Sequence, residues 1–540
     1  MRKQIVKVVA FLAIGIAAFL GIQEIMTPEW NQENMVYTLE GFEQLEENIL
    51  DVLFLGTSHV EAGVLPMELY ESSQICAYSL ATSAQTVEGS YFMLKKAFET
   101  QCPKVVVLDA SGLVHQEEDN YNVSWRYILD ALPFSQAKLE MASAYGEKWY
   151  SDGILSALVP IVKYHTRWNE LSSADFTKRE TEAGYYSAGG FINSITSGAH
   201  WSLDHIMQTA DRLADETPGV LSHASGGTAV QEEVEGVLYT PQVTENTADY
   251  LEKINELCKE HGSELLLIKV PVLHYPQFYT GSWTKQRSEA VSEAAEKNGV
   301  VFLDLLYEYD TGVNFATDTV DGGLHLNFRG AQKVSDFLAS YLLENYEIEQ
   351  GVEKQYLAFL AQYKKMASVA MLQSETNFYT YMDRLIANKN DWTIMIAARE
   401  EYTIGMRDAD YALFEELGLQ LIRDGKYMDS YLAVINQGLL EYEAVSDRRI
   451  HYKTETCGKA VSMMSSGWYT APAASVVVNG KEYSSGTRGL SVVVFDNASG
   501  LVIDSVMFDT FTEGKAASRN WTNIYNCLRA YESAVCFGEE

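Results

Sequence analysis

The sequence of 540 residues predicts an α/β fold, with a doubly wound and mostly parallel sheet followed by a smaller α+β domain rich in hairpins. Three observations predict this fold class. Short apolar runs alternate with amphipathic helical segments up to about residue 350. These runs are almost continuously apolar, as are the strands of a sheet covered on both faces. After residue 350, apolar runs are joined by tight turns such as Asn479-Gly480.

The composition is that of a folded and strongly acidic protein. Hydrophobic residues make up 47% and aromatic residues 12% of the chain, which is enough for two or three packed cores. The 74 acidic residues against 40 basic residues give a formal charge of -34. This charge repels a nucleic acid backbone and disfavours adhesion to anionic lipid, so we expect no nucleic-acid partner.

The N-terminus has two basic residues near its start and an almost wholly apolar run from Ile5 to Ile22. Such a run is either a secretory signal peptide or an uncleaved anchor. No small-x-small cleavage site lies between the run and Thr27, so the sequence favours an anchor within residues 1–30. Basic residues at its inner end predict a cell-membrane protein with a single N-terminal anchor and most of the chain outside the cytoplasm.

The six cysteines form no CxxC motif and no Cys/His cluster. The sequence therefore indicates neither a zinc site nor a dithiol redox site, and we expect no cofactor. Cys457, Cys527 and Cys536 lie in the last segment, where they could supply one disulfide in an oxidising compartment. Isolated buried thiols are the alternative.

Residues 31–350 are predicted to form the doubly wound domain, whose active site would lie at the carboxyl ends of the strands. An aromatic-rich insertion at about 111–240 is expected to wall this site. The predicted strands are Asp51–Leu55, Ile75–Leu80, Lys104–Asp109, Leu265–Val270 and Val300–Leu305. The predicted helices are one capped by Thr82 and Ser83, Thr244–His261, Trp283–Asn298 and a last one from about Ala331 to Tyr346.

Residues 351–540 are predicted to form the second domain. Up to Gln373 this part is expected to be helical and linker-like. Strands and hairpins follow, with one strong helix predicted at Asp408–Leu417. This half of the sequence contains no catalytic constellation.

A candidate nucleophile stands at the end of the first predicted strand, where four apolar residues lead into Gly-Thr-Ser-His and a tight turn exposes Ser58. A serine hydroxyl needs a base, and the base needs a third group to hold its tautomer. His325 as base and Asp321 as its partner meet this need on a single turn. Backbone N–H groups of Ser58 and of Ser83 or Ala84 could stabilise an oxyanion.

Five further side chains are candidates for substrate or oxyanion contacts. Gln85 could supply a side-chain donor, or it could be a solvent-facing residue at a helix start. His59 could line the site or only shape the turn. In the insertion, Arg167 could contact a substrate, as could His115 and His165, whereas packing or solvent exposure is the alternative for all three.

Short motifs follow the first two strands and precede the last helix of this domain. They are Gly56-Thr57-Ser58, Ser79-Leu-Ala-Thr-Ser-Ala-Gln85, and Asp321 to His325 with Leu326-Asn327 and Gly330-Ala331. In their order, these motifs resemble the SGNH/GDSL hydrolase superfamily over roughly residues 50–346. The resemblance implies a flavodoxin-like sheet and a serine esterase or O-acyltransferase.

The chain departs from the pattern of this superfamily at three points. Thr57 stands where the first motif usually has Asp. The oxyanion Asn of the third motif has no obvious counterpart near Asp109-Ala-Ser-Gly112. The spacing from Asp321 to His325 is four residues, where three is usual.

The N-terminal anchor and the Gly-Thr-Ser-His motif resemble the membrane-tethered DltD-type branch of this superfamily. That branch works outside the cell on D-alanylation or O-acylation of surface polymers. The resemblance implies a surface polysaccharide or a teichoic-acid-like polymer as partner, together with a membrane-bound O-acyltransferase.

The second domain also contains motifs of a known type. Val476 to Gly480, Arg488 to Asp496 and Val506 to Thr510 resemble the interleukin-like EMT inducer domain, as do segments around Thr393 and Leu417. The Phe-Asp-Thr portion follows the helical portion here, whereas it precedes it in that family, so the domain would be permuted or built from two partial copies. The resemblance implies a carbohydrate-binding accessory module.

Together these features predict serine-dependent acyl transfer or ester hydrolysis on a cell-surface or cell-wall glycan, with Ser58 as the nucleophile. A non-catalytic scaffold of the same fold that binds glycan through the second domain is the alternative. In the simplest interpretation, Ser58 is only a turn serine and His325 only a helix-start residue.

Overall fold

The computed structural model describes residues 2–27, 33–114, 128–149, 154–176, 188–196, 221–225, 228–232, 243–273, 285–484 and 486–537. His115 and about half of the aromatic-rich insertion therefore lie outside the described residues.

Five parallel strands form the first sheet, which confirms the doubly wound α/β prediction. In spatial order the strands are Ala77–Ala81, Val52–Gly56, Val105–Asp109, Glu264–Lys269 and Val301–Asp304. The direction of winding reverses at the Val52–Gly56 strand, so a crevice opens at its carboxyl end. Ser58 follows this strand directly.

Helices cover both faces of the first sheet. Two of them begin at different residues from those predicted. Thr86 caps the second-strand helix, because the backbone N–H of Gln85 bonds to Thr82 O and closes a turn over the predicted caps. The last helix begins at Phe328 rather than near Ala331. The helices are Ser58–Gly63, Pro66–Ser73, Val87–Ala97, Glu245–Glu260, Lys285–Asn298 and Phe328–Asn345.

The described parts of the N-terminus and of the insertion are mainly helical. The N-terminal helices are Arg2–Met26 and Glu33–Glu43. The insertion contains the helices Gln136–Trp149, Ile154–Leu158 and Pro160–Tyr164, and a hairpin of Leu221–Ser225 and Thr228–Glu232.

The helix Lys354–Ser374 is not the linker that the sequence predicts, because it packs against both sheets. On the first domain, its Tyr356 hydroxyl donates to Ala77 O at 2.6 Å. Near its other end, Gln373 Nε2 donates to Ile503 O of the second sheet at 2.6 Å. Both side chains are fully buried, so the helix is part of a continuous core.

A sheet of ten mostly antiparallel strands forms the second domain, which confirms the predicted hairpin-rich architecture. Within it, Trp392–Glu400 and Lys459–Gly467 pair in parallel. The strands are Trp392–Glu400, Ser430–Asn436, Leu439–Ser446, Ile450–Thr456, Lys459–Gly467, Ala473–Val478, Lys481–Glu482, Gly489–Asp496, Leu501–Phe508 and Ala517–Ser518.

The second domain contains more helix than the one segment predicted. That segment is present as Asp408–Glu416. The helices Phe378–Asn388 and Trp521–Phe537 were not predicted. In the first of these, Tyr381, Leu385 and neighbouring apolar residues are buried at helical spacing, a signal that the sequence did contain.

The cysteines whose side chains are described are free thiols. Cys457 and Cys527 are both free thiols, so no disulfide joins these two. Burial raises the pKa of Cys258 and that of Cys527 to about 12, which leaves both thiols protonated and unreactive at neutral pH.

Candidate active site

The nucleophile turn begins with a glycine that the packing requires. Gly56 has φ of 151°, and a Cβ at this position would lie 2.3 Å from Asp109 Cβ. Thr57 then caps the helix Ser58–Gly63, because its side chain accepts a hydrogen bond from the His59 backbone N–H at 3.2 Å. Ser58 is therefore the first residue of a helix at the sheet edge.

Asp109 holds this turn from the neighbouring strand. Its Oδ2 accepts hydrogen bonds from the Thr57 backbone N–H at 3.2 Å and from the Thr57 hydroxyl. Its Oδ1 accepts one from the Ser111 backbone N–H at 3.0 Å. A buried carboxylate from the neighbouring strand thus supports the turn that contains Thr57 and Ser58.

Ser58, His325 and Asp321 form a hydrogen-bonded chain. The Ser58 Oγ and His325 Nε2 atoms are 2.9 Å apart, and His325 Nδ1 lies 3.1 Å from Asp321 Oδ2. Because an ionised carboxylate only accepts, Nδ1 carries the imidazole proton and Nε2 is free to accept from the serine. This is the geometry of a nucleophile, a base and an orienting acid.

A strained turn brings Asp321 and His325 together across the spacing of four residues. Asp321, Gly322 and Gly323 all have positive φ, of 56°, 69° and 109°. On either side of the turn, Val320 pairs with His325 in a short antiparallel hairpin. The left-handed residues therefore allow the chain to turn within four residues, and the hairpin brings the imidazole of His325 back to the carboxylate of Asp321.

The candidate oxyanion donors lie on two adjoining turns. Ser58 is the first helical residue, so its backbone N–H has no acceptor within the helix. Thr82 N donates to Gly56 O at 3.0 Å, which joins the second turn to the first. On this second turn Ser83 and Ala84 are exposed, and Ala84 has a left-handed φ of 53°. The roles of these groups as donors remain predictions.

Gln85 does not face solvent, which was the alternative considered for it. Its side chain is buried, and its amide Nε2 donates to Ser90 Oγ at 3.0 Å. This bond uses one of the two N–H donors of the Gln85 amide, and the role of Gln85 as an oxyanion donor stays a prediction.

His59 lies in a buried polar cluster behind the nucleophile. Its Nδ1 is 3.4 Å from Ser111 Oγ and 3.4 Å from Lys269 Nζ. A charged ammonium cannot accept a hydrogen bond, so Nδ1 is the acceptor and the ring proton is on Nε2. The centroid of the His59 ring lies 5.6 Å from that of His325, so the two imidazoles are neighbours.

Lys269 is the fully buried centre of this cluster, at the carboxyl end of its strand. Burial lowers the pKa of its ammonium to about 8, although the carboxylates of Asp109 and Asp304 favour the charged form. Its Nζ also donates to Ser111 Oγ at 3.2 Å. Lys269 therefore connects the ends of two strands, and its contact with Nδ1 selects the tautomer of His59.

Sequence reasoning missed Lys269 and Glu61. Glu61 lies one helical turn after Ser58 and is 9% exposed, and burial raises its pKa to about 7. A carboxylate within a short helix beside the nucleophile was a usable signal, because acidic residues are rarely buried without a role. Lys269 gave no such signal, because it ends an apolar strand and its partners come from distant segments.

Arg167 contacts the N-terminal helix. Its guanidinium donates to Ile25 O at 3.0 Å and forms an ion pair with Asp175. These contacts engage the side chain structurally, and its role in substrate binding stays a prediction. Among the described residues, no group of three or more His, Cys, Asp or Glu side chains could hold a metal ion.

Fold and geometry define the class: a doubly wound α/β protein with a hydrogen-bonded Ser–His–Asp chain at the carboxyl edge of its sheet. No family model and no curated protein matches this sequence. Among the solved structures that are similar to it over part of its length are two bacterial proteins. One is a Bacteroides fragilis NCTC 9343 protein assigned as an acylhydrolase, at 11% identity, covering 59% of this chain and 99% of that chain, with a TM-score of 0.27.

The second is the lipase/acylhydrolase from Enterococcus faecalis, at 10% identity, covering 56% of this chain and 100% of that chain, with a TM-score of 0.26. Similarity at this level carries no information on substrate or reaction.

Proposed function

We propose that this chain is a serine-dependent acyl-transfer enzyme or esterase that acts outside the cytoplasm on a cell-surface or cell-wall glycan. The observation that carries the proposal is the pair of hydrogen bonds at His325, to Ser58 Oγ at 2.9 Å and to Asp321 Oδ2 at 3.1 Å. A turn serine or a helix-start histidine would need neither partner.

The reaction follows from the positions of the protons. His325 Nε2 takes the proton of Ser58 as Oγ attacks the acyl carbonyl, and Asp321 stabilises the imidazolium. Collapse of the tetrahedral intermediate breaks the ester bond, and the imidazolium gives its proton to the leaving alcohol oxygen. The acyl group is then bound to Ser58. Water yields hydrolysis, and a sugar hydroxyl yields transfer.

Membership of the SGNH superfamily, in its DltD-like branch, is part of this proposal. Its support is the order of the three motifs and the hydrogen bonds that join their residues. The apolar helix Gln4–Met26 is compatible with an uncleaved anchor, although a signal sequence has the same composition. We propose a surface polysaccharide or teichoic-acid-like polymer as partner, and a membrane-bound O-acyltransferase as the acyl source.

A fluorophosphonate probe tests the catalytic proposal directly. We expect mass spectrometry of the treated full chain to map one covalent adduct to Ser58, because only an activated serine reacts rapidly with such probes. Ser58→Ala and His325→Ala should both abolish labelling. His451→Ala, which removes an exposed histidine of the second domain, should leave labelling unchanged.

Absence of labelling in a folded chain would contradict the proposal. It would favour the non-catalytic scaffold, in which the first domain only supports glycan binding by the second.

Glycan binding by the second domain is proposed from a cavity of about 690 Å³ at the ends of its strands. Amide and aromatic side chains line it, among them Asn390, Gln437, Trp392 and Tyr531. Planar amides and aromatic rings suit the hydroxyl groups and apolar faces of sugars. The domain would correspond to an interleukin-like EMT inducer module.

A glycan array with the full chain tests this second role. We expect retention of cell-wall glycans to weaken for Asn390→Ala, since Asn390 is an exposed lining residue. Asn345→Ala is the matched control, because Asn345 is exposed on a helix of the first domain. Equal retention by both variants would contradict a role for this cavity.

A further inference from the structure

The N-terminal helix is exposed along most of its apolar length. The most apolar 18-residue window within Gln4–Met26 has a mean hydropathy of 2.6, and every residue from Gln4 to Leu20 is exposed. At 1.5 Å per residue this exposed part is about 25 Å long, close to the hydrocarbon thickness of a bilayer at about 30 Å. Burial begins at Gly21, where the helix would leave the hydrocarbon.

The segment Ile154–Phe176, here called the collar, packs against this outer end of the helix. The Ile161 backbone N–H donates to Gln23 Oε1 at 2.6 Å. Arg167 donates to Ile25 O at 3.0 Å. Both bonds join the collar to the last turn of the helix, so the collar lies at the depth where the apolar span ends.

Three large apolar side chains of the collar face outwards. Leu155 is 64%, Trp168 71% and Phe176 65% exposed. Trp168 follows Arg167 and Phe176 follows Asp175, and these two charged residues form an ion pair. The ion pair therefore holds both aromatic side chains next to the end of the helix.

We propose that the collar is a membrane-contact surface, with Trp168 and Phe176 in the interfacial layer of the outer face of the bilayer. The proposal rests on the proposed membrane anchor. A lipid surface fits better than a protein partner, because the exposed aromatic side chains continue directly from a helix that spans the bilayer. Tryptophan at the end of an apolar span is the usual interfacial anchor.

The charges of the collar indicate which lipids it accepts. Its basic residues Lys163 and Arg167 form ion pairs with Asp130 and Asp175. The collar thus offers little unpaired positive charge to an anionic headgroup, and the chain as a whole is strongly acidic. We therefore expect contact with zwitterionic bilayers, through apolar side chains and with little salt dependence.

Fluorine NMR of the full chain tests this surface. The chain is labelled with 5-fluorotryptophan and reconstituted in phosphatidylcholine nanodiscs with or without a nitroxide lipid labelled near the headgroup. Trp168→Phe and Trp468→Phe assign two resonances. Trp468 is the matched control, because it is 51% exposed but lies in the second domain.

We expect the nitroxide lipid to broaden the Trp168 resonance beyond detection and to leave that of Trp468 unchanged. Equal broadening of the two resonances, or none, would overturn the proposal, as would a chain that fails to associate with nanodiscs. Fluorophosphonate labelling of Ser58 in the same samples tests the proposed catalytic function separately. Failure of the membrane-contact proposal therefore does not imply failure of the catalytic proposal, or the reverse.

Discussion

Asp321 is the most open member of the catalytic chain. Its side chain is 57% exposed, against 21% for His325. Water screens an exposed carboxylate, so its main contribution is to hold the imidazole tautomer rather than to supply a strong field.

The variant Asp321→Asn tests this contribution. Asparagine tolerates the left-handed backbone of this position, so the fold should persist. We expect kcat for a nitrophenyl ester to fall by about 10³-fold, less than for a buried aspartate, because the amide favours the wrong tautomer. Asp310→Asn, on an exposed loop, is the control. An unchanged kcat in Asp321→Asn would remove this residue from the mechanism.

Lys269 predicts a pH dependence of stability. In the folded chain the pKa of the Lys269 ammonium is about 8, against an ordinary value of 10.5. Between these values the unfolded chain binds more protons at this site, so the free energy of unfolding rises with pH. Relative to Lys269→Met, the wild type should gain up to about 3 kcal/mol across this window, at about 1.4 kcal/mol per pKa unit.

Urea unfolding of both proteins from pH 7.5 to 10.5 gives this difference directly. A difference that is independent of pH would mean that Lys269 has an ordinary pKa. Nitrogen NMR of His59 in the same pair reads the tautomer, which should be uniform only in the wild type.

The nucleophile helix Ser58–Gly63 is a single short element that contains a buried acid. Glu61 has its pKa raised to about 7 by burial, from an ordinary value of 4.5. The folded chain binds more protons than the unfolded chain between these values, so the stability that depends on the protonated carboxyl is lost as pH rises through 7. The element is therefore less stable at neutral pH than its packing alone would allow.

We expect Glu61→Gln to be more stable than the wild type above pH 7. The gain should grow from pH 4.5 to 7 by up to about 3 kcal/mol, because glutamine carries no charge to desolvate. Thermal unfolding at several pH values measures it. Glu71→Gln, at an exposed position on the next helix, is the control and should show no such trend. A constant difference for Glu61→Gln would contradict the raised pKa.

At the scale of the whole molecule, a buried ion pair fixes the second sheet to the helix Lys354–Ser374, which contacts both domains. Arg519 donates to both oxygens of Asp504 at 3.2 Å, and to Glu375 O at 2.8 Å and Leu372 O at 3.1 Å. Tyr381 donates to Asp504 as well, at 2.8 Å. The second sheet is thereby fixed to the end of the joining helix Lys354–Ser374.

Removing the cation should destabilise the chain strongly. We expect Arg519→Met to lower the free energy of unfolding by about 3–5 kcal/mol, because Asp504 would stay buried without a counter-charge. Arg488→Met breaks a half-exposed pair with Asp509 and should cost less than about 1 kcal/mol. Denaturant unfolding compares the two variants. Equal effects would show that burial of the Arg519 pair adds nothing.

The sequence by itself determined the strands of the first sheet and the three residues of the hydrogen-bonded Ser58–His325–Asp321 chain. Continuous apolar runs predict buried parallel strands. A serine that directly follows such a run is therefore expected at the carboxyl edge of the sheet. Asp321 and His325 are close in sequence, so their hydrogen bond depends on the conformation of the turn between them. Hairpin turns could also be predicted, because the residues that favour a turn are neighbours in the sequence.

Only the tertiary structure decided which groups support this chain. The bond from Thr57 to Asp109 and the cluster of His59, Ser111 and Lys269 join residues from different strands. The joining helix Lys354–Ser374 resembles a linker in sequence, and its burial depends on surfaces of both domains. Patterns along one segment report which face is apolar, whereas contacts between segments depend on how the strands are ordered across the sheet.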